Sequence, residues 1–218
     1  SLIRCEQINR ELKAMTDVFE KSRISNIPLK GSVHGLRYLD EPQSRINECG
    51  EVFKKMALAG VRDRCTENFV HTCCKEAKVM HCCDPTVVIN TDKINQYAGN
   101  FKDRIFKKHK CDLSHKYIVL MMPDCPFTKR LSERYSEEYQ IITLFKPSKD
   151  AEKYLFDLNP FEWAAVLSGA SAVVTSYFHG TLLSLRHSTP VIAIDFSDYN
   201  DEHYEGKLKD LLHTRLNL

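Results

Sequence analysis

The sequence contains little glycine and no long apolar run. Its 8 glycines form neither a GxGxxG nor a GxxxxGK[ST] pattern, which excludes the usual glycine-rich phosphate loops. No stretch approaches the roughly 20 apolar residues that a membrane-spanning helix needs. The net charge is only +2, so we predict no nucleic-acid partner. What remains is a globular chain of 218 residues, enough for one large domain or two small ones.

Cysteine, by contrast, is frequent. The chain has 9 cysteines, an odd number, and they include the adjacent pairs Cys73-Cys74 and Cys82-Cys83, which suit a disulfide framework poorly. A chain of this length also does not need disulfides to stabilise its core. We therefore expect free thiols in a reducing compartment, which predicts a cytoplasmic protein.

The same cysteines, together with His71 and His81, raise the question of a zinc site. No CxxC pair occurs in the sequence, and adjacent cysteines on a strand point to opposite faces. Cysteine is also among the residue types that are most often buried in protein cores. We therefore interpret these cysteines as core thiols and predict no metal ion.

Strand and helix patterns alternate along the second half of the chain. Strands are predicted over 117–122, 140–145, 172–175 and 191–196, and helices over 127–137, 160–168, 180–187 and 205–213. This alternation favours an α/β fold with a doubly wound parallel sheet that has helices on both faces.

The first half of the chain is less regular. Helices are predicted over 1–20, 41–56 and from Thr66 to about residue 75, short strands over 27–29, 57–61 and 78–83, and a strand or loop over 86–89. The basic segment 101–110 has no clear period and is interpreted as a connector. We therefore predict two domains, an N-terminal lobe over 1–105 and a C-terminal lobe over 106–218.

One segment is more informative than any other. Asn159, Pro160 and Glu162 form the pattern of a capped helix start, and a short apolar strand then leads to His179 at the beginning of a second helix. Helix amino ends attract anions, and α/β folds bind ligands at the carboxyl edge of the sheet. His179 is therefore predicted to transfer protons or to bind an anion. The alternative is a histidine that caps the helix or forms a hydrogen bond inside the core.

Four further residues are weaker candidates. Thr181 could offer a hydroxyl to the same anion. Arg62 follows a predicted strand and could hold a carboxylate or phosphate with two hydrogen bonds, although a structural pair with an aspartate is an equal alternative. His34 could face a cleft between two lobes, whereas loop histidines often have no role. Asp84 precedes a proline, where a simple turn is the alternative.

Five short motifs follow one another in order along the chain. They are Arg62-Asp63, Asp84-Pro85-Thr86, Asn159-Pro160-Phe161-Glu162-Trp163, Ser176-Tyr177-Phe178-His179-Gly180-Thr181 and Pro190-Val191-Ile192-Ala193-Ile194. With these motifs the chain resembles the polysaccharide pyruvyl transferase family over residues 57–212. The motif around His179 and Gly180 is the most specific of the five.

The resemblance implies a fold of two Rossmann-like lobes that face a cleft, as in GT-B glycosyltransferases. It implies a transferase that moves the enolpyruvyl unit of phosphoenolpyruvate onto a pair of sugar hydroxyls as a pyruvate ketal, in the synthesis of a surface polysaccharide or exopolysaccharide. The acceptor would be a saccharide or its lipid-linked precursor, and no metal or organic cofactor is required. Peripheral membrane association through the acceptor and self-association into a homo-oligomer stay open.

The resemblance also assigns roles to residues. His179 would be the acid/base or phosphate-binding histidine, and Arg62 the anion-binding arginine. The residues expected to bind substrate are Tyr177, Gly180, Thr181, Asp84 and His34. These residue types suit the chemistry, because phosphoenolpyruvate is a dense anion and a histidine can exchange protons near neutral pH.

Two features depart from the family pattern. Tyr177 stands where some branches have arginine, which weakens the argument for phosphate binding there. The glycine-rich opening of the family is absent, so we expect the N-terminal lobe as given to be partial, whether the chain is a fragment or a shortened relative. Two alternatives stay open: a GT-B glycosyltransferase that uses a nucleotide-sugar, and a non-catalytic module that binds glycans or anions.

Overall fold

Two compact units make up the protein in the computed structural model. One unit comprises residues 1–84 and 197–218, and the other comprises residues 85–196. The structure describes residues 27–28, 43–88, 96, 102–112, 114–196 and 207–216. The helix predicted over 1–20 and the candidate His34 lie outside these residues. The domain boundary predicted after residue 105 lies at a different position from this division and stays a prediction.

The first unit is built on three short parallel strands in the order β1-β2-β3. They are β1 (Ile27–Pro28), β2 (Ala59–Val61) and β3 (Val79–His81), and the helices between them are α1 (Gln43–Lys54) and α2 (Arg64–Cys73). Phe53 of α1 and Val70 of α2 pack with the buried residues of β2. The polar residues Arg62 and Asp84 therefore follow two neighbouring strands of one parallel sheet.

The start of α2 differs from its prediction. Asp63 rather than Thr66 caps the helix, because the Asp63 carboxylate accepts hydrogen bonds from the Thr66 amide at 2.7 Å and from the Thr66 hydroxyl at 2.6 Å. The helix consequently begins at Arg64, two residues before the predicted cap. The strand or loop predicted over 86–89 is instead a short 3₁₀ turn, Pro85–Val88. The fixed φ of proline suits the first turn of a helix.

The second unit contains a five-stranded parallel sheet with the order β6-β5-β4-β7-β8. The strands are β4 (Tyr117–Met121), β5 (Gln140–Leu144), β6 (Lys153–Leu155), β7 (Ala172–Thr175) and β8 (Val191–Ala193). The helices are α3 (102–108), α4 (Pro126–Tyr135), α5 (Pro160–Ser168) and α6 (Phe178–Arg186). Counted from β4, the strand order is 3-2-1-4-5, which is that of a doubly wound sheet with its topological switch between β4 and β7. The predicted α/β class with parallel strands is confirmed.

Apolar side chains pack against both faces of this sheet. Alternate residues of a strand point to opposite faces, and β4 shows this clearly. Val119 belongs to a cluster that includes Leu167 of α5, whereas Leu120 belongs to a cluster with Phe127 and Leu131 of α4. The central strand is therefore covered on both sides, and exposed residues begin beyond its carboxyl end, at Pro123 and Asp124.

Residues 102–108 form a helix where the sequence pattern favours a connector. Ile105 and Phe106 are buried in the core of the second unit, and the Phe106 ring meets the Tyr117 ring edge-on at 5.0 Å between centroids. The Lys102 ammonium lies over both rings. The Lys102 side chain thus covers apolar surface, so a basic residue lies on the inner face of this helix and obscures its period in the sequence.

A short last helix, α7 (Lys207–Lys209), continues into a π-helical turn over Asp210–Arg215 and belongs to the first unit. Leu208 and Leu211 are buried there. No helix in the ranges that the structure covers is long and apolar enough to cross a bilayer.

The predicted capping box of α5 is confirmed. The Asn159 side chain accepts hydrogen bonds from the amides of Phe161 and Glu162 at 2.9 and 3.0 Å, and the Glu162 carboxylate accepts one from the Asn159 amide at 2.9 Å. Gly169 follows the last turn as predicted. The start and end of the helix that leads into β7 are therefore determined by local sequence.

Replacing Asn159 with alanine should lower the free energy of unfolding by about 1 kcal/mol, because two backbone amides lose their acceptor. Urea titration followed by circular dichroism measures the change. Asn159→Asp keeps an acceptor oxygen and is the matched control, which should change stability less. An unaltered urea midpoint in Asn159→Ala would contradict the role of this cap.

Candidate functional site

His179 lies at the carboxyl edge of the sheet in the second unit. β7 pairs with β4 in parallel, and the Ser176 amide donates a hydrogen bond to the Met121 carbonyl oxygen at 3.0 Å. α6 begins at Phe178, two residues earlier than predicted, so His179 lies in its first turn with an exposed side chain. This places the predicted histidine beside the topological switch between β4 and β7, where doubly wound folds bind ligands.

The buried Thr175 hydroxyl connects the two strands with the start of α6. It donates a hydrogen bond to the Met121 carbonyl oxygen at 3.2 Å and accepts one from the Tyr177 amide at 3.0 Å. The backbone between β7 and α6 is thereby tied to the end of β4. Such a connection orients the first turn of the helix without using an exposed side chain.

Gly180 and Thr181, both predicted to bind substrate, are buried. A Cβ atom at position 180 would lie 2.5 Å from Oγ1 of Thr175 and 3.2 Å from Sδ of Met121. The Thr181 hydroxyl donates a hydrogen bond to the Tyr177 carbonyl oxygen at 3.3 Å. Both residues help α6 to pack against the sheet. Their contact with substrate stays a prediction.

The amino end of α6 has no side-chain cap, in contrast to those of α2 and α5. Tyr177 occupies the capping position and forms no side-chain hydrogen bond with the helix. The positive end of the helix dipole favours anions at such a position. The Tyr177 phenol is neutral near pH 7 and does not repel an anion. Burial raises its pKa further.

The loops after β4 and β5 bring residues to this edge that the sequence analysis did not identify. The Asp124 carboxylate accepts hydrogen bonds from the Ser148 hydroxyl and from the Lys149 amide, the latter at 3.3 Å. Lys146 and Lys149 have exposed side chains in the same loop. A search for polar residues directly after predicted strands could have found Asp124, because it follows β4 by three residues.

Phe145 directly follows β5 in an unusual backbone conformation. Its φ is 74°, and the Lys146 amide donates to the Leu144 carbonyl oxygen at 2.9 Å, which defines a γ-turn centred on Phe145. The Phe145 ring contacts Tyr177 at 4.9 Å and Trp163 at 5.6 Å between centroids. We refer to Phe145, Trp163 and Tyr177 as the aromatic cluster.

Arg62 is paired with aspartates in the first unit. Its Nη1 binds Oδ2 of Asp84, and its Nε lies 3.6 Å from Oδ2 of Asp63. The side chains of Arg62 and Asp84 are only 12% and 5% exposed. Of the two interpretations left open above, the structural ion pair describes this contact, whereas anion binding by Arg62 and substrate binding by Asp84 stay predictions.

The cysteines whose side chains the structure describes are free thiols. A hydrogen bond with Cys49 and burial raise the pKa of Cys73, which keeps that thiol protonated. Within the ranges described above, no group of three or more histidine, cysteine, aspartate or glutamate residues is placed to hold a metal ion. His34 lies outside these ranges.

A family model described as polysaccharide pyruvyl transferase matches residues 34–198 of the chain. The matched range includes the whole of the second unit and part of the first, and it contains Arg62, Asp84 and the whole segment around His179. No curated protein matches the chain.

The Gly180→Ala variant tests the close packing of α6 against Thr175. The added Cβ should overpack the contact with Thr175 and lower the free energy of unfolding by about 1–3 kcal/mol in urea titrations. The same substitution in a Thr175→Ala background should cost less, since the closest atom is gone. Strictly additive effects in this double-mutant cycle would contradict the contact.

The Asp84→Ala variant tests the buried pair. Removing Asp84 takes one carboxylate away from the largely buried positive charge of Arg62. We therefore expect the free energy of unfolding to fall by about 3–5 kcal/mol. Lys54→Ala, which breaks the exposed pair with Glu51 in the same unit, is the control and should have little effect. Similar melting temperatures for the two variants would contradict a structural role for Asp84.

Proposed function

This chain belongs to the polysaccharide pyruvyl transferase family, and from this premise we propose that it transfers a pyruvyl group from phosphoenolpyruvate to a saccharide. Family membership supports a pyruvyl transferase role in polysaccharide synthesis. The observation that carries the finer proposal is the position of His179. It is exposed in the first turn of α6, beside the switch point of a doubly wound sheet.

The proposed reaction joins one donor to two hydroxyls of one sugar. C3 of phosphoenolpyruvate gains a proton, which makes C2 electrophilic, and two sugar oxygens form bonds to C2. The bond between C2 and the phosphate oxygen breaks, so the products are a pyruvate ketal and inorganic phosphate. Of the two hydroxyl protons released, one balances the proton gained at C3 and the other leaves with the phosphate.

His179 is the residue that we propose for proton transfer. An imidazole can deliver a proton to C3 or accept one from a sugar hydroxyl near neutral pH. The amino end of α6 and the exposed Lys146 and Lys149 supply positive potential for the phosphate and carboxylate of the donor. No metal ion or organic cofactor enters this scheme.

We further propose that the two compact units correspond to the lobes of a GT-B-like fold and that the second unit binds the donor. The 3-2-1-4-5 strand order of the second unit supports this assignment. A lipid-linked acceptor would bring the reaction to a membrane surface, for instance in exopolysaccharide synthesis. A cytoplasmic location and self-association stay predictions.

Isothermal titration calorimetry with phosphoenolpyruvate tests the donor. We expect saturable binding that weakens by about 10- to 100-fold in His179→Ala, the effect of losing one hydrogen bond to a charged group. His115→Ala is the matched control. His115 is also exposed, but it precedes β4 and therefore lies at the amino edge of the sheet, where it contacts the Glu138 carbonyl oxygen at 3.1 Å.

Other ligands decide between the alternatives. Binding of a uridine-diphosphate sugar but not of phosphoenolpyruvate would overturn the proposal in favour of a glycosyltransferase. A folded protein that binds neither would be the non-catalytic module. Equal loss of affinity in His179→Ala and His115→Ala would remove His179 from the donor site.

A further inference from the structure

We propose that the aromatic cluster of Phe145, Trp163 and Tyr177 is a stacking platform for a pyranose ring of the acceptor. This inference deepens the proposed function and rests on it for the saccharide nature of the acceptor. It assigns the acceptor to the loops after β5 and β7, at the edge of the sheet that carries His179.

The backbone of Phe145 is the first observation. Bulky residues rarely adopt a positive φ, and a γ-turn with φ of 74° is strained. Neighbouring side chains hold the turn, because the Thr143 hydroxyl reaches the Lys146 carbonyl oxygen at 2.8 Å and the Tyr154 hydroxyl reaches the Phe145 carbonyl oxygen at 3.4 Å. Strained residues that are held in this way concentrate at ligand sites.

The strain does not serve to bury the ring. Phe145 is 48% exposed, whereas a phenylalanine selected for core packing would be covered. Its contacts with Tyr177 and Trp163 are edge-on, with interplanar angles of 64° and 86°. Such contacts hold an aromatic ring at a defined angle. The result is an ordered apolar surface that remains open to solvent.

The cluster adjoins the turn that carries His179. Tyr177 directly precedes α6, and His179 follows it by two residues. Phe145 directly follows β5, which pairs with β4, and its ring contacts Tyr177 beyond the carboxyl end of β4. A sugar stacked on the cluster would therefore lie beside the group proposed for proton transfer.

A neutral sugar matches this surface better than an anion does. A pyranose ring has an apolar face of C–H groups and a rim of hydroxyls. Aromatic side chains cover the apolar face by dispersion and by removal of apolar surface from water, while the hydroxyls stay hydrated or reach polar neighbours. The three side chains of the cluster have no formal charge, so they offer nothing specific to phosphate.

The chain has 1 tryptophan, and it belongs to the cluster. Under excitation selective for tryptophan, which leaves the 9 tyrosines largely unexcited, the emission therefore reports on this site. We expect at least one of the methyl pyranosides of galactose, glucose and mannose to change the Trp163 emission saturably. In Phe145→Ala the affinity should fall by about tenfold, as expected for the loss of an aromatic contact.

Two further variants distinguish sugar stacking on Phe145 from a purely structural role of that residue. Tyr135→Ala removes an exposed aromatic ring that contacts Tyr139 at the end of α4, away from the cluster, and should bind the glycosides normally. Phe145→Gly should melt at a higher temperature than Phe145→Ala, because glycine adopts a positive φ without strain. Both Phe145 variants should nevertheless lose glycoside binding to the same extent.

Calorimetry with phosphoenolpyruvate on the same variants distinguishes this inference from the proposed function. Normal donor binding in Phe145→Ala, together with weakened glycoside binding, would support both. Donor binding without any glycoside effect on Trp163, or glycoside binding unchanged in Phe145→Ala, would overturn the platform alone. Glycoside binding that depends on Phe145, without any donor binding, would support the platform and overturn the proposed transfer.

Discussion

The site around His179 depends on the close contact between Gly180 and the ends of two strands. Only a residue without a side chain lets α6 begin this near to Thr175 and Met121. The Thr175 hydroxyl then binds the backbone of Met121 and of Tyr177, so β4, β7 and α6 are connected at one point. His179 precedes Gly180 in the same turn, and its position at the edge follows from this contact.

Features that depend on neighbouring residues could be predicted from the sequence. The capping box at Asn159 and Glu162 acts within one helical turn, and the predicted start of α5 is confirmed. Features that depend on distant packing could not. Helix α3 is amphipathic only through Ile105 and Phe106, which are buried in a core shared with Tyr117. Strand β6 has three residues at the edge of the sheet, too few for a recognisable alternation.

The residues of the candidate site also differ in whether the sequence alone could predict them. His179 could be predicted because the order of strand and helix alone places it at a carboxyl edge. Phe145 could not, since an aromatic residue after an apolar strand predicts continued extension rather than a positive φ. Arg62 and Asp84 were each recognised, but they are 22 positions apart, and only the parallel pairing of β2 with β3 brings them together.

Charge distribution indicates which unit is better suited to an anionic donor. The Arg62 charge is already compensated by carboxylates of Asp63 and Asp84, and drawing it towards an external anion would leave those buried groups poorly paired. The edge around His179 carries a helix start without a side-chain cap and two exposed lysines, Lys146 and Lys149, whose charge is available at little cost. Beside it, the aromatic cluster offers an uncharged surface. In the proposed reaction, the anionic donor and the neutral sugar would therefore bind to differently charged parts of a single sheet edge.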